Sequence, residues 1–289
     1  MKFTVQAETM NLLREALSSG CDRIRFGSEF CEQKIPSLKH LEEAYNEVKK
    51  NGKSFSYILP ILSNKGIEKI RKQLEFIKIC NDIELIVGDL GLINILQKQG
   101  DFKIRLGRSR VYIPSRCPWS QITRIPNPSF FEQRKVEKIF YQTNLNYMRS
   151  LNFYKNQGII GADVDWIPKC FKSYDSLSKT GFQLAMHTYG VPVAVTLRCH
   201  TARFVDEKNP SLCSRPCLNS AYDLDQVDLK KRFLLLGNVV YRQVEVIKKE
   251  LKQFKKTRIE ELVLPMGALS ELNTSKDINE AINILFNEA

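Results

Sequence analysis

Residues 1–27, MKFTVQAETMNLLREALSSGCDRIRFG, decide the fold class because they read as a strand, a helix and a second strand in succession. The residues Phe3–Ala7 predict a strand, and the apolar spacing within Met10–Ser19 predicts a helix. Arg23–Phe26 predicts the second strand, which ends at Gly27. A chain that opens in this way is typical of an α/β protein with parallel strands.

The same alternation continues along the chain. Ser37 is predicted to cap a helix that Asn51-Gly52 ends. Gln183–His187 and Val193–Thr196 are predicted to form a strand pair bridged by Tyr189-Gly190. Further strands are predicted at Ser54–Leu59, Ile83–Val87, Phe102–Arg105, Lys138–Gln142, Asp163–Trp166, Leu234–Leu236 and Val263–Pro265.

Seven or eight βα units without a linker predict an α/β fold with a single (β/α)8 TIM-type barrel over residues 1–289, rather than an open doubly wound sheet. Ala7-Glu8-Thr9 follows the first strand where a dinucleotide-binding fold would carry a glycine-rich loop, which argues against that fold. Functional residues of a barrel lie just after its strands. Cys31 and Cys199 both follow predicted strands, so we expect both at the same face of the barrel.

The composition indicates a cytoplasmic protein. The chain has 289 residues and is 43% apolar, enough for a full core, and no low-complexity linker divides it. Its first 20 residues lack the apolar segment of a secretory signal. The apolar runs at 83–88 and 233–240 are too short to span a bilayer. Eight cysteines without such a signal indicate a reducing compartment.

The chain is basic, with 44 Lys and Arg against 32 Asp and Glu, a formal net charge of +12. This charge suits an RNA partner or a small acidic substrate. It suits equally well a lysine-rich surface without a functional target, since many lysines fall on the solvent faces of predicted helices. The charge alone leaves these alternatives open.

Three cysteines stand in one short loop, CHTARFVDEKNPSLCSRPC, at Cys199, Cys213 and Cys217. In a reducing compartment, thiols grouped in this way point to a metal or an iron–sulfur cluster rather than a disulfide. A [4Fe–4S] cluster that takes one more cysteine from elsewhere is favoured. Structural zinc usually takes two tight cysteine pairs, and only one is present, but zinc and an unligated loop stay as alternatives.

The stretch FQLAMHTYGVPVAVTLRCHTAR at 182–203, followed by C-x3-C, resembles the signature of the peptidase U32 family. The early segment Gly27–Cys31 resembles the UbiV-like branch of that family, which acts in oxygen-independent ubiquinone biosynthesis. The likeness covers most of residues 1–240. It implies a [4Fe–4S] cluster held by four cysteines: Cys31, Cys199, Cys213 and Cys217.

The resemblance also implies an activity and partners. It implies oxygen-independent hydroxylation of a ubiquinone precursor, with a UbiU-like subunit as heterodimer partner and a small acidic hydroxyl donor such as prephenate. Relatives that hydroxylate tRNA or ribosomal RNA keep RNA modification or RNA binding as an alternative. A zinc-stabilised subunit without catalysis of its own is a further alternative. Proteolysis is not supported, because neither HExxH nor GxSxG occurs in the sequence.

One position departs from the family pattern. Many members carry an acidic residue two positions after a proline, whereas this chain has Cys170 after Pro168. If that carboxylate serves the substrate or catalysis in relatives, this chain has lost it or changed its use.

Several basic residues are candidates for binding a substrate. His200 and Arg203 flank the cysteine loop, and we expect them to bind a substrate carboxylate or tune a cluster, or simply to face solvent. Arg105 and Arg108, with Arg110 and Arg116, crowd the loops after a strand and predict an anion pocket, with scattered surface arginines as the alternative. His187 ends a buried strand, where a hydrogen-bonded core histidine is favoured over a catalyst.

Overall fold

The computed structural model describes residues 1–80, 82–117, 129–196, 199–205, 213–224, 232–244 and 246–287. Twelve strands lie within these residues: β1 Lys2–Ala7, β2 Arg23–Gly27, β3 Ser54–Leu59, β4 Glu84–Val87, β5 Lys103–Leu106, β6 Ile159–Asp165, β7 Gln183–His187, β8 Val191–Val195, β9 Tyr222–Leu224, β10 Phe233–Leu236, β11 Val239–Arg242 and β12 Glu261–Pro265. Eight of them close a parallel barrel in the order β1-β12-β7-β6-β5-β4-β3-β2. The predicted TIM-type barrel is confirmed.

Ten α-helices connect or flank these strands: α1 Met10–Leu17, α2 Leu38–Lys50, α3 Asn64–Cys80, α4 Leu90–Gln99, α5 Phe130–Phe140, α6 Met148–Asn156, α7 Phe171–Ser178, α8 His200–Val205, α9 Lys248–Phe254 and α10 Ser275–Asn287. Side-chain caps begin several of them. The hydroxyl of Thr9 accepts the Leu12 N–H at the start of α1, and the hydroxyl of Ser37 accepts the His40 N–H at the start of α2. Among the described residues, no helix is long and apolar enough to cross a bilayer.

The hydrophobic core lies between the barrel and its helices. Alternate strand residues such as Val5, Phe26, Leu85 and Val164 belong to this core and are almost completely buried. Side chains alternate between the two faces of a strand, so the residues between them point into the barrel. Those inward positions are largely polar, whereas branched apolar residues usually fill a TIM barrel.

A network of buried ion pairs occupies the barrel interior. The Arg25 guanidinium donates to Asp163 Oδ2 at 2.5 Å and to Glu261 Oε1 at 2.8 Å. Arg105 bridges Glu261, at 3.3 Å, and Glu84, at 3.2 Å. All five side chains are buried or nearly so. Each carboxylate is therefore balanced by at least one guanidinium away from solvent.

This network makes the stability of the protein depend on pH. Burial raises the pKa of Glu261, but the charges of Arg25 and Arg105 outweigh it and bring the pKa from 4.5 to about 2. The ionised carboxylate thus adds stability above about pH 4.5, which is lost as the pH falls toward 2. We expect Glu261 alone to account for about 3 kcal/mol of this loss.

Urea denaturation at pH 6, 4 and 3 would measure the acid effect. The free energy of unfolding should fall more steeply with acid in the wild type than in Glu261→Gln. Glu68→Gln, which alters an exposed ion pair with Arg71, should keep the wild-type slope. Equal slopes in all three proteins would contradict the expected role of Glu261.

A small second sheet interrupts the barrel after β7. Its strands follow the order β8-β11-β10-β9, and all its pairs are antiparallel. Val239 and Tyr241 from one face of this sheet pack on Phe30, which follows barrel strand β2. We call this sheet the roof, because it covers the end of the barrel at which the parallel strands finish.

Three sequence predictions require correction. Lys138–Gln142 is not a strand, because residues up to Phe140 belong to α5. Gln183–His187 and Val193–Thr196 do not pair, because β7 lies between β6 and β12 whereas β8 pairs with β11 in the roof. Leu234–Leu236 is a strand, but it lies in the roof and not in the barrel.

Candidate thiol centre at the barrel mouth

Cys31 reaches the barrel mouth through a sharp turn after β2. Gly27 ends the strand with a φ of +116°, and a Cβ there would lie 2.7 Å from the Ile58 carbonyl oxygen. Glycine alone suits both the conformation and the close approach. The chain then passes Phe30, whose carbonyl accepts the Asn238 side-chain amide of the roof at 3.0 Å. The barrel and the roof therefore both fix the segment that carries Cys31.

Gly27→Ala is expected to destabilise the protein by about 2 kcal/mol or more, because it combines backbone strain with a clash against β3. Gly52→Ala is the matched control, since Gly52 also has a positive φ, +69°, but nothing lies within 4 Å of its added Cβ. Its cost should be about 1 kcal/mol. Urea denaturation of both variants checks the difference, and equal losses would contradict the role of close packing at Gly27.

Cys199 and Cys217 reach the same place from the roof insertion. The Sγ of Cys199 accepts the Ala202 N–H at 3.3 Å at the start of α8. Thr201 donates from its N–H and hydroxyl to the Gly237 carbonyl, at 3.3 and 3.2 Å. Cys217 is buried, and its Sγ lies 3.4 Å from the position that a Cβ on Gly237 would take. The turn between β10 and β11 thus holds both cysteine segments.

Three thiols share one neighbourhood. Burial raises the pKa of Cys31 to about 11, and the Cys217 and Cys199 groups add to this rise. Burial likewise raises the pKa of Cys217, while the Lys34 ammonium opposes the rise. The contacts agree with these effects. Cys31 lines a pocket with Gly237, and Cys217 packs against that same glycine. The Gly237 carbonyl also accepts the Thr201 hydroxyl, two residues after Cys199. The structure therefore brings together three of the four cysteines that the sequence singles out.

Cys213 stands apart in the described contacts. It is half-buried, and its sulfur accepts the Arg215 N–H at 3.4 Å. Arg215 adopts a left-handed conformation, with a φ of 59°, just before the turn that carries Cys217. Within the described parts of the chain, no three His, Cys, Asp or Glu side chains are set at the spacing of a metal site. The cysteine sulfurs are suitable ligands for a metal or cluster, but they do not stand at the distances that such ligands have.

Lys34 and Glu8 complete this site, and sequence reasoning missed both. The Lys34 Nζ donates to Glu8 Oε2 at 2.6 Å, and both residues line a small pocket of about 20 Å³ with Cys31 and Gly237. Glu8 follows β1 and Lys34 follows β2, so the barrel rim places both. Their positions after strands were the available signal, because that is where barrel function concentrates.

Arg108 is enclosed at the barrel mouth. Its guanidinium donates to Glu29 at 2.8 Å, to Asp165 at 3.3 Å and to the Gly190 carbonyl at 2.8 Å. The rings of Phe30 and Tyr241 lie 5.7 and 5.9 Å from it. Arg108 therefore ties β2, β6 and the roof together.

The other predicted binding residues divide into buried and exposed groups. Arg105 belongs to the barrel network, and Arg116 donates to Asp165 at 2.6 Å. His187 is buried, with its Nε2 3.0 Å from Asp163 Oδ2, and burial together with the Arg108 charge lowers its pKa. His200 and Arg203 are exposed on α8. Substrate binding by Arg105, Arg108, His200 and Arg203 stays a prediction.

Cys170 lies away from the three gathered thiols. It is buried, and its Sγ is 3.4 Å from the Ser115 hydroxyl. Burial raises the pKa of its thiol to about 11. The side chain packs as a neutral thiol beside β6, where it offers no carboxylate to a ligand.

A larger cleft opens between the barrel rim and the roof. It measures about 600 Å³, and Thr9, Asn11, Leu218, Asn219, Leu234 and Glu271 are among its lining residues. Two of these lining residues directly follow residues of the thiol site in the sequence: Thr9 follows Glu8, and Leu218 follows Cys217. The bidentate pair of Arg232 with Asp223, at 2.7 and 3.0 Å, lies on the roof side of the cleft. The lining is rich in hydrogen-bonding groups.

The sequence matches no family model and no curated protein. Among solved structures, the U32 peptidase Mk0906 is similar over 93% of this chain and 94% of its own, at 12% identity and a TM-score of 0.46. A thiamine phosphate pyrophosphorylase from Pyrococcus furiosus is similar over 99% and 95%, at 8% identity and a TM-score of 0.43. The assignment of this chain to the TIM-type barrels rests on its own closed order of eight parallel strands.

Proposed function

We propose that this chain is an iron–sulfur protein of the U32 type that takes part in oxygen-independent hydroxylation of the ubiquinone-precursor kind, together with a UbiU-like subunit. The observation that carries the iron–sulfur part is the meeting of Cys31 with Cys199 and Cys217 at the barrel mouth. The hydroxylation part is supported by the sequence motifs around these cysteines.

In this proposal, Cys31, Cys199 and Cys217 hold a [4Fe–4S] cluster with Cys213 as the fourth ligand. Such a cluster supplies single-electron transfer. The chain contributes the enclosure: Phe30 and Tyr241 pack edge to face, with ring centroids 6.2 Å apart, and restrict water beside Cys31. The sulfurs do not already stand at the distances of cluster ligands. Binding of the cluster would therefore draw the roof insertion toward the loop that follows β2.

Metal analysis of protein purified without oxygen tests the iron–sulfur part. We expect about four irons and four sulfides per chain, with a broad absorption band near about 400 nm. About one zinc and no colour would instead support the zinc-stabilised, non-catalytic subunit. Protein that carries no metal as purified, and takes up neither iron and sulfide nor zinc in anaerobic reconstitution, would contradict both.

The hydroxylation part needs a separate test. Anaerobic incubation of the loaded chain with a UbiU-like subunit, a ubiquinone precursor and prephenate should yield a hydroxylated product. The charge of +12 favours RNA as the alternative acceptor. Binding of bulk tRNA that weakens steeply between about 50 and 200 mM salt, without turnover of the precursor, would favour that alternative.

A further inference from the structure

Lys34 is the one lysine that is buried among the residues the structure describes. Its ammonium donates to the Glu8 carboxylate at 2.6 Å, and Lys34 and Glu8 line the small pocket together with Cys31. Burial acts to lower the pKa of Lys34, but Glu8 and the Cys217 and Cys31 sulfurs, which lie within electrostatic reach of this ammonium, raise it. Burying an ammonium is costly unless anions surround it. Glu8 supplies one negative charge, and Cys31 and Cys217 supply more only when they are thiolates. The surroundings of Lys34 are therefore most favourable when the sulfurs carry negative charge.

We infer that Lys34 and Glu8 are positioning residues that set the reduction potential of the thiol-bound centre in opposite directions, Lys34 raising it and Glu8 lowering it. This inference rests on the proposed iron–sulfur function. It adds a role for two residues outside the ligand set, both placed by the loops that follow β1 and β2.

The direction follows from charge. A thiolate-bound iron–sulfur centre is negative, and one-electron reduction makes it more negative. A fixed ammonium beside the sulfurs stabilises the reduced form more than the oxidised form, and a fixed carboxylate does the reverse. Both effects are large where water is excluded, and the Lys34 side chain is only 5% exposed. The Lys34 side chain is also the more buried of the two, 5% exposed against 20% for Glu8, so water screens its charge less and its effect should be the larger.

A redox titration of the loaded protein tests this inference. Dithionite donates one electron per centre and is itself oxidised, while mediators report the potential at which half of the centres are reduced. In Lys34→Met, the ratio of reduced to oxidised centres at a fixed potential should fall at least about tenfold, a midpoint about 59 mV lower. Glu8→Gln should raise that ratio, and Lys34→Arg should stay within about threefold of the wild type.

Lys53→Met is the matched control. Lys53 also donates to buried partners, the carbonyls of Ser19 and Cys21 at 2.8 and 2.7 Å, but it precedes β3 at the opposite end of the barrel. It should leave the midpoint unchanged even if it lowers stability. If the role of Lys34 were purely structural, the midpoints of Lys34→Met and Glu8→Gln would move in the same direction, or neither midpoint would move.

The two possible failures are distinguishable. If wild-type protein binds no iron and sulfide, the proposed function falls, and the inference falls with it. If all variants load normally but their midpoints coincide, the iron–sulfur function stands and the inference is overturned. If Lys34→Met fails to load, Glu8→Gln still decides the sign, because it removes the carboxylate charge and keeps the ammonium.

Discussion

Cys217→Ala is expected to reduce the iron and sulfide content from about four of each per chain to less than about one. Cys217 is buried, lies against Gly237 and shares its surroundings with Cys31 and Cys199. Among the described residues that line the small pocket, Cys31 is the one thiol, so no second sulfur there can replace the lost ligand. The Glu8 and Glu29 carboxylates are held by Lys34 and Arg108. Iron and sulfide analysis under anaerobic conditions provides the measurement.

Cys80→Ala serves as the matched control for this experiment. Cys80 ends α3, far along the chain from every predicted ligand, and it is half-buried like Cys31. Its replacement should leave iron and sulfide at wild-type levels. Equal metal content in the wild type and Cys217→Ala would remove Cys217 from the ligand set and, with it, the argument from the gathered thiols.

Arg25→Met should destabilise the protein by about 3–5 kcal/mol. The substitution leaves Asp163 and Glu261 inside the barrel without the guanidinium that contacts both of them. A buried carboxylate that loses its partner either remains charged at high cost or takes up a proton. Urea denaturation at pH 7, followed by circular dichroism, measures the loss.

Arg14→Met is the matched control, because Arg14 also contacts two carboxylates, Glu43 and Glu47, but does so on the exposed surface. Water and salt screen that cluster, so the denaturation midpoint should not move. If the two variants showed the same midpoint, the barrel network would be contributing no more than a surface ion pair.

The barrel was predictable from the sequence because its strands and helices have distinct periodicities. Val5, Phe26 and Leu85 alternate with inward residues, and the predicted strands that contain them are confirmed within one or two residues. The strand prediction at Lys138–Gln142 was wrong because the segment contains isoleucine and aromatic residues, which favour strands. The contrary signal was Ser129 with Glu132, a capping box that begins α5 in the structure.

The roof was not predictable from strand patterns. Tyr189-Gly190 suits a turn, and Gly190 indeed has a positive φ, +59°. The turn nevertheless sends the chain out of the barrel, because the Gly190 carbonyl accepts Arg108 and β8 finds its partner in β11. Pairing between strands that are distant in sequence leaves no local trace.

The candidate site was partly predictable. The cysteine spacing and the family resemblance singled out Cys31, Cys199 and Cys217, which the structure brings together. The arginines after β5 suggested an anion pocket, but Arg108 already binds acidic residues of its own chain. The acidic partners, Glu29 and Asp165, follow or end other strands, and a single sequence does not show which strands become neighbours.

The charged interior of the barrel has a consequence for where a small molecule can bind. Arg25, Asp163 and Glu261 are buried inside the barrel, which leaves little room for a ligand there. At the roof end, Tyr241 and Val239 pack over Phe30. Among the described residues, the roomiest space next to the barrel is the cleft between the rim at Asn11 and the roof at Asn219. A bulkier side chain at Asn219 would narrow this cleft and limit the size of the molecules that fit it, with every cysteine unchanged.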